Sequence, residues 1–90
     1  MNKFMLNIQL AGLDNETRIK LLPKEQEVVK ELEQRGTIVE TFIKLDMPGI
    51  FMVVIANDTE DVHSKLSTLP YYPYMNIEII PVRLDNSINE

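Results

Sequence analysis

The stretch IFMVVIA, residues 50–56, decides the fold. It is apolar on both faces, whereas a strand with one face in water alternates apolar and polar side chains. This pattern indicates a strand that is covered on both sides. The preceding segment, Met47-Pro48-Gly49-Ile50, places proline and glycine where a type II turn requires them. The sequence therefore predicts a buried strand that is entered through a tight turn.

Three further strands are predicted around this one. Residues 3–10 alternate in polarity, with Phe4, Leu6, Ile8 and Leu10 on one face and Met5, Asn7 and Gln9 on the other. Residues 37–44 (TIVETFIK) form the second strand along the chain, and residues 74–82 form the last. Before the last strand, Pro70 and Pro73 bracket a turn that we expect to be non-helical, because proline disfavours the α region for the residue before it.

The first of two predicted helices follows the first strand. Asp14 or Asn15 can cap its beginning, and Gly36 is a suitable residue just past its end. Pro23 interrupts the segment and leaves two alternatives. Either a short helix ends near Leu22 and a second begins with Pro23 in its first turn, or one helix kinks at Pro23.

The second helix follows the buried strand. Asn57 and Glu60 resemble a capping box, and Val62, Leu66 and Leu69 form an apolar stripe. The resulting order, β-α-β-β-α-β, predicts an α+β domain of the ferredoxin-like split βαβ type. The third strand is central in that topology, in agreement with its uniform apolarity.

Two helices can cover only one face of a four-stranded sheet. In a single chain the other face would leave Met52, or its neighbours Phe51 and Val53, in water. A second subunit that pairs sheet to sheet would bury them, so the sequence predicts a homodimer at least.

Composition narrows the possible partners. The 90 residues predict one domain, residues 1–83, with a polar tail at 84–90. The net charge is −5 and the positive residues are scattered, which argues against nucleic acid or an anionic membrane as a partner. Cysteine is absent, which fits a cytoplasmic protein without disulfides. The first ten residues are too polar for a signal peptide, and no apolar run is long enough to span a bilayer.

From Pro23 to Ile79 the sequence resembles the muconolactone isomerase family. The shared features are Glu25 and Glu27, Gly36-Thr37, Glu60, His63 and the run L-P-x-x-P-Y-M-x-I-E at residues 69–78. The resemblance implies a dimeric α+β barrel that assembles into larger rings. It also implies an enzyme of aromatic catabolism that moves a double bond in a lactone, converting muconolactone to 3-oxoadipate enol-lactone without metal or cofactor.

The second strand departs from the family pattern. Family members commonly carry Trp, Arg and His side chains there, whereas this chain has IVETFI at residues 38–43. A substrate with a free carboxylate calls for a cation, and the nearby Lys44 and Lys3 do not occupy the family's positions. A different substrate or a lost activity therefore stays open.

Glu25 is the candidate catalytic residue. It falls at the centre of the apolar stripe of the first helix, formed by Leu21, Leu22, Val28, Val29 and Leu32. A carboxylate directed toward a sheet loses solvation, which raises its pKa and makes it a better base for allylic proton transfer. The alternative is a partly solvated glutamate in the first turn of a helix that begins at Pro23, where the helix dipole favours it.

Four further residues are candidates for substrate binding, each with a structural alternative. His63, the only histidine, is a possible acid, base or donor, or else a surface residue. Tyr74, and after it Tyr72 and Tyr71, carry phenols that can donate to a dienolate oxygen, or else fill the helix–strand junction or the subunit interface. Asn7 can bind a ligand carbonyl, or else faces water or a partner sheet. One histidine without clustered carboxylates predicts no metal site.

The residues leave three functions open. The first is a cofactor-independent lactone isomerase. The second is a non-catalytic small-ligand-binding or structural oligomer of the same fold. The third is a cofactor-free monooxygenase-like enzyme, because proteins of that type share the barrel and a fold alone does not set a reaction.

Overall fold

The computed structural model describes residues 1–46 and 48–83. Its elements are β1 (Asn2–Leu10), α1 (Asn15–Gln34), β2 (Ile38–Ile43), β3 (Ile50–Ala56), α2 (Thr59–Leu66), a 3₁₀ turn (Tyr72–Tyr74) and β4 (Met75–Val82). Met47 of the predicted turn and the predicted tail, residues 84–90, lie outside the described residues. No helix in the described ranges is both long and apolar enough to cross a membrane.

The four strands form one antiparallel sheet in the order β2-β3-β1-β4. This confirms the predicted ferredoxin-like α+β fold, with β3 in a central position beside β1. The register places Leu6 opposite Met52 on β3 and opposite Ile79 on β4. Side chains of alternate residues therefore form continuous rows across the sheet, and one face of these rows becomes the core.

The hydrophobic core lies between the sheet and the two helices. Its buried members come from β1, β2 and β3, from the inner stripes of the helices and from Leu69 just after α2: Phe4, Leu6, Ile8, Val28, Leu32, Ile38, Met52, Val54, Ala56, Val62, Leu66 and Leu69. Strand β4 contributes the partly buried Met75, Ile77 and Ile79. The opposite face of the sheet carries exposed apolar side chains, including Phe51, which is 40% exposed. Of the two alternatives for this face, the one with Phe51 and Val53 is correct, whereas Met52 points to the helix face and is buried.

Helix α1 is one continuous helix with Pro23 inside it. Asp14 is its N-cap, and its carboxylate accepts a hydrogen bond from the Thr17 backbone N–H at 2.7 Å. Proline lacks the N–H that would bond to the carbonyl of Ile19. Ile19 and Pro23 are both exposed, so water can solvate that carbonyl and the helix continues.

The cap of α2 differs from the predicted pairing of Asn57 with Glu60. The N-cap is Asp58, whose carboxylate accepts from the Asp61 N–H at 2.7 Å. The Asp61 carboxylate in turn accepts from the Asn57 N–H at 2.8 Å. The arrangement resembles a capping box, except that the side chain of Asp61 reaches back to Asn57, the residue before the N-cap, and not to the N-cap itself.

The turn before β4 also differs from the prediction. It was expected to be non-helical, yet Tyr72–Tyr74 form a single 3₁₀ turn that contains Pro73. The Tyr74 N–H donates to the carbonyl of Tyr71 at 2.9 Å. Pro73 lies within the first two residues of this turn, where a helical N–H would have no partner, so its missing donor does no harm.

Candidate active site

A partly open cavity of about 200 Å³ lies between α1 and one end of the sheet. It is lined by residues from β1, β3 and α1, from the turn between β2 and β3, from the segment before β4 and from the first position of β4: Ile8, Leu10, Glu25, Gly49, Ile50, Tyr71 and Met75. Glu25 is the one charged residue among them. The cavity therefore combines an apolar wall with a single carboxylate, the arrangement expected of a small-ligand site.

Glu25 is buried because it lies on the inner stripe of α1. It precedes Val28 by three residues and Leu32 by seven, and these three are the buried residues of the helix. Only 8% of Glu25 is exposed. Burial raises the pKa of its carboxyl above the usual range, and a hydrogen bond from the Tyr71 N–H opposes part of that rise.

The hydrogen bond from Tyr71 holds the Glu25 carboxylate in place. The Tyr71 backbone N–H donates to Glu25 Oε1 at 2.9 Å, across a sequence separation of 46 residues. A carboxylate has two oxygens that can each accept more than one hydrogen bond, so this contact leaves capacity for a ligand. The site thus holds a positioned acid–base group beside an apolar space.

Tyr71 forms the wall that runs from Glu25 toward the beginning of α1. Its phenol O–H donates to the backbone carbonyl of Arg18 at 2.9 Å. Burial, and secondly the negative charge of Glu25, raise the pKa of this phenol. Tyr71 therefore stays neutral at physiological pH. The sequence alone made Tyr71 a weak candidate for the site, because no local pattern reveals a hydrogen bond to a glutamate 46 residues away.

Gly49 supplies a backbone wall of the cavity. Its φ of +136° is rarely adopted by residues with a side chain. A Cβ at this position would lie 2.5 Å from the carbonyl oxygen of Ile8. Glycine thus allows the hairpin between β2 and β3 to approach β1 closely.

Three residues predicted to bind substrate, His63, Tyr72 and Tyr74, lie away from this cavity. His63 Nδ1 and the Tyr72 hydroxyl are hydrogen-bonded at 2.8 Å, and their rings meet edge to face. Neither lines the cavity, and neither does the side chain of Tyr74. The carbonyl of Tyr74 accepts from the Ala11 N–H at 2.8 Å, which ties the segment before β4 to β1. Their roles in ligand binding stay predictions.

Asn7 lies on the opposite face of the sheet from Glu25. Its carboxamide oxygen accepts from Lys44 Nζ, and its Nδ2 donates to Glu78 Oε1 at 3.2 Å. The Lys44 ammonium also lies 4.8 Å from the centre of the Phe51 ring, a cation–π distance. Asn7 thus belongs to a polar network on the open face and cannot contact a ligand at Glu25 of its own chain. No group of three acidic, histidine or cysteine side chains within residues 1–46 and 48–83 is placed to hold a metal.

Comparison with known proteins bears on this site. The family model for muconolactone delta-isomerase matches residues 3–87. A muconolactone delta-isomerase from Rhodococcus opacus is 30% identical over 70 residues, which cover 78% of this chain and 75% of that protein. A crystal structure of a muconolactone isomerase superposes with a TM-score of 0.77 at 23% identity, covering 94% of this chain and 92% of the other.

Proposed function

The chain belongs to the muconolactone delta-isomerase family, and we propose that it is a cofactor-independent isomerase that shifts a double bond in a small lactone. One observation carries the proposal. The carboxylate of Glu25 lies buried in an apolar cavity, held by the Tyr71 N–H. Such a group has the position and the raised pKa that suit general acid–base catalysis near neutral pH.

Glu25 would move one proton between two ring carbons. In its ionised form the carboxylate removes a proton from the saturated allylic carbon next to the conjugated double bond of the lactone, which leaves a dienolate and a neutral carboxylic acid. The same carboxylic acid then returns the proton at another carbon of the dienolate. The double bond has moved, no atom is gained or lost, and Glu25 ends in its starting form.

The surroundings of Glu25 suit both halves of this cycle. Burial weakens the solvation of the Glu25 carboxylate and raises its pKa, which brings it closer to the pKa of the ligand carbon that loses the proton. The Tyr71 N–H engages Oε1 and restricts the rotation of the carboxylate. Restricting it holds the base in a reactive orientation during both proton transfers.

The isomerase would work as a homodimer built through the open face of the sheet. That face presents Phe42, Phe51 and Ile80, which are 48%, 40% and 45% exposed. Met5 stands opposite Val53 on one side and Ile80 on the other, so apolar side chains cross three strands. A second copy would bury this row against its own equivalent.

The decisive experiment is an ultraviolet assay of muconolactone isomerisation. Glu25→Gln keeps the shape and the hydrogen-bond acceptor but removes the base, so turnover should fall by about 10²–10⁴-fold. Glu27→Gln is the matched control, because Glu27 is exposed on the same helix, and its turnover should be unchanged. Turnover that survives in Glu25→Gln would reject Glu25 as the base. A folded protein that binds the lactone without turnover would indicate the non-catalytic alternative.

A further inference from the structure

Resting on the proposed function, we propose that the preferred substrate is a neutral unsaturated lactone that carries an alkyl side chain. The lactone ring lies against Glu25 in the cavity, and the alkyl chain lies in an adjoining apolar groove on α1. Muconolactone, whose side chain ends in a carboxylate, is then turned over less efficiently than an uncharged lactone.

The charge of the cavity selects against an anionic ligand. Among the described residues that line it, Glu25 carries the only charge, and that charge is negative in the form that removes a proton. The Tyr71 phenol is already bonded to the Arg18 carbonyl, and the other lining residues are apolar. A carboxylate placed here would lose its hydration and face a like charge, both of which are unfavourable. An uncharged ring avoids both costs.

The size of the cavity fits one small ring. Its volume is about 200 Å³. An apolar protein cavity of about 150 Å³ is large enough to bind benzene, and a lactone ring with its carbonyl is of similar size. The cavity therefore holds the ring, and a longer substituent on the ring must leave it.

An apolar groove of about 420 Å³ continues from the cavity along the surface of α1. The two spaces share Leu10 and Tyr71, and beyond these residues Leu22 and Ile19 line the groove. An alkyl chain that lies in the groove would remove part of this apolar surface from water, which is favourable. The continuity of the groove with the cavity indicates that its occupant is part of the same ligand.

Helix geometry aligns the groove with the cavity. Leu22 and Ile19 precede Glu25 by three and six residues, which is about 4.5 and 9 Å along the helix axis. Each step of three residues turns about 60° around the helix, so these side chains form an oblique row from the buried side to the surface. Their exposed fractions rise in the same order, from 8% at Glu25 to 41% at Leu22 and 62% at Ile19. A chain of several carbons can follow this row outward from the ring.

Arg18 also lines the groove, but its guanidinium is directed elsewhere. Its Nη2 donates to Asn15 Oδ1 at 2.7 Å, three residues nearer the beginning of α1 and away from Glu25. The stem of an arginine side chain is apolar and can cover apolar surface. Arg18 is therefore compatible with an alkyl chain in the groove.

The first test compares muconolactone with its methyl ester in the ultraviolet assay. The ester lacks the negative charge of the side chain, so its kcat/KM should exceed that of muconolactone by about tenfold or more. Neutral γ-methyl, γ-butyl and γ-hexyl butenolides then lengthen the apolar chain, and KM should fall about two- to fourfold for each methylene that the groove covers. Turnover of muconolactone as efficient as that of the ester would overturn the neutral ligand class and leave the isomerase standing.

The second test alters the groove. Leu22→Gln and Ile19→Gln should each raise the ratio of KM for the γ-hexyl butenolide to KM for the γ-methyl butenolide by about fivefold, because only the longer chain reaches these side chains. Lys20→Gln is the matched control, since Lys20 is exposed on the same helix and lines neither the cavity nor the groove, and it should leave the ratio unchanged. An unchanged ratio in all three variants would overturn the role of the groove.

Sedimentation of the same variants tests the other possible occupant, a second copy of the chain. A shift toward smaller species in Leu22→Gln and Ile19→Gln, together with an unchanged KM ratio, would assign these side chains to a contact between copies. That result would also overturn the role of the groove in ligand binding.

A binding measurement separates this proposal from the proposed function. A saturated γ-hexyl lactone, and a matching lactone whose chain ends in a carboxylate, are titrated by calorimetry against the protein as isolated. Tighter binding of the neutral lactone, weakened in Leu22→Gln but not in Lys20→Gln, supports the ligand class even where no lactone is isomerised. Equal binding of the two lactones, or no binding of the neutral one, overturns it.

Discussion

Glu25 should stabilise the fold through its hydrogen bond as well as provide the base, and two substitutions separate these roles. Glu25→Gln keeps an acceptor oxygen for the Tyr71 N–H, whereas Glu25→Ala leaves that N–H without its partner. An unsatisfied buried donor costs about 1–3 kcal/mol. The adjoining cavity is partly open and can admit water, so we expect the lower end, about 1 kcal/mol.

The assay is thermal and urea unfolding followed by far-ultraviolet circular dichroism. For a domain of this size about 1 kcal/mol lowers Tm by about 4–8 °C, so Glu25→Ala should melt that far below Glu25→Gln. Protein concentration must be equal in all samples, because an oligomer's Tm depends on it. The pair Glu27→Ala and Glu27→Gln, at an exposed position of α1, measures the difference in helix propensity between alanine and glutamine. Equal stability of the two Glu25 variants after that subtraction would show that the Tyr71 contact contributes nothing.

Three further outcomes are expected. Burial raises the pKa of Glu25, so protonation of its carboxyl stabilises the fold at low pH, and this contribution is lost as pH rises through the folded-state pKa. In urea titrations from pH 4 to 8, the unaltered protein should therefore lose stability relative to Glu25→Gln. An unchanged difference across that range would contradict the buried carboxylate. Gly49→Ala forces a Cβ to within 2.5 Å of the Ile8 carbonyl at a φ of +136°, so it should lower the free energy of unfolding by at least about 1–3 kcal/mol in denaturant titrations. A variant as stable as the unaltered protein would show that the hairpin moves freely. Val53→Glu places a charge on the open face of the sheet and should shift the sedimentation coefficient toward that of a monomer. Glu33→Gln, at an exposed position of α1, should leave the sedimentation coefficient unchanged. An unaltered assembly in Val53→Glu would refute pairing through this face.

Local sequence pattern was sufficient for the four strands and their order, although it left the first helix undecided at Pro23 and missed the 3₁₀ turn before β4. The uniformly apolar residues 50–56 became the central strand β3, and the alternation of residues 3–10 became β1 with the predicted face inward. The spacing of Glu25, Val28 and Leu32 also placed a carboxylate on the buried side of α1. These features depend on side-chain periods of two and 3.6 residues, which a short window of sequence contains.

Contacts between distant segments were decided only by the tertiary structure. The bond from Tyr71 to Glu25 joins residues 46 apart, and the network from Lys44 to Asn7 joins residues 37 apart. Neither follows from periodicity, because each depends on strand register and on the path of a loop. The bond from the Tyr71 O–H to the Arg18 backbone carbonyl joins residues 53 apart, and it depends on the same folded path of the segment before β4.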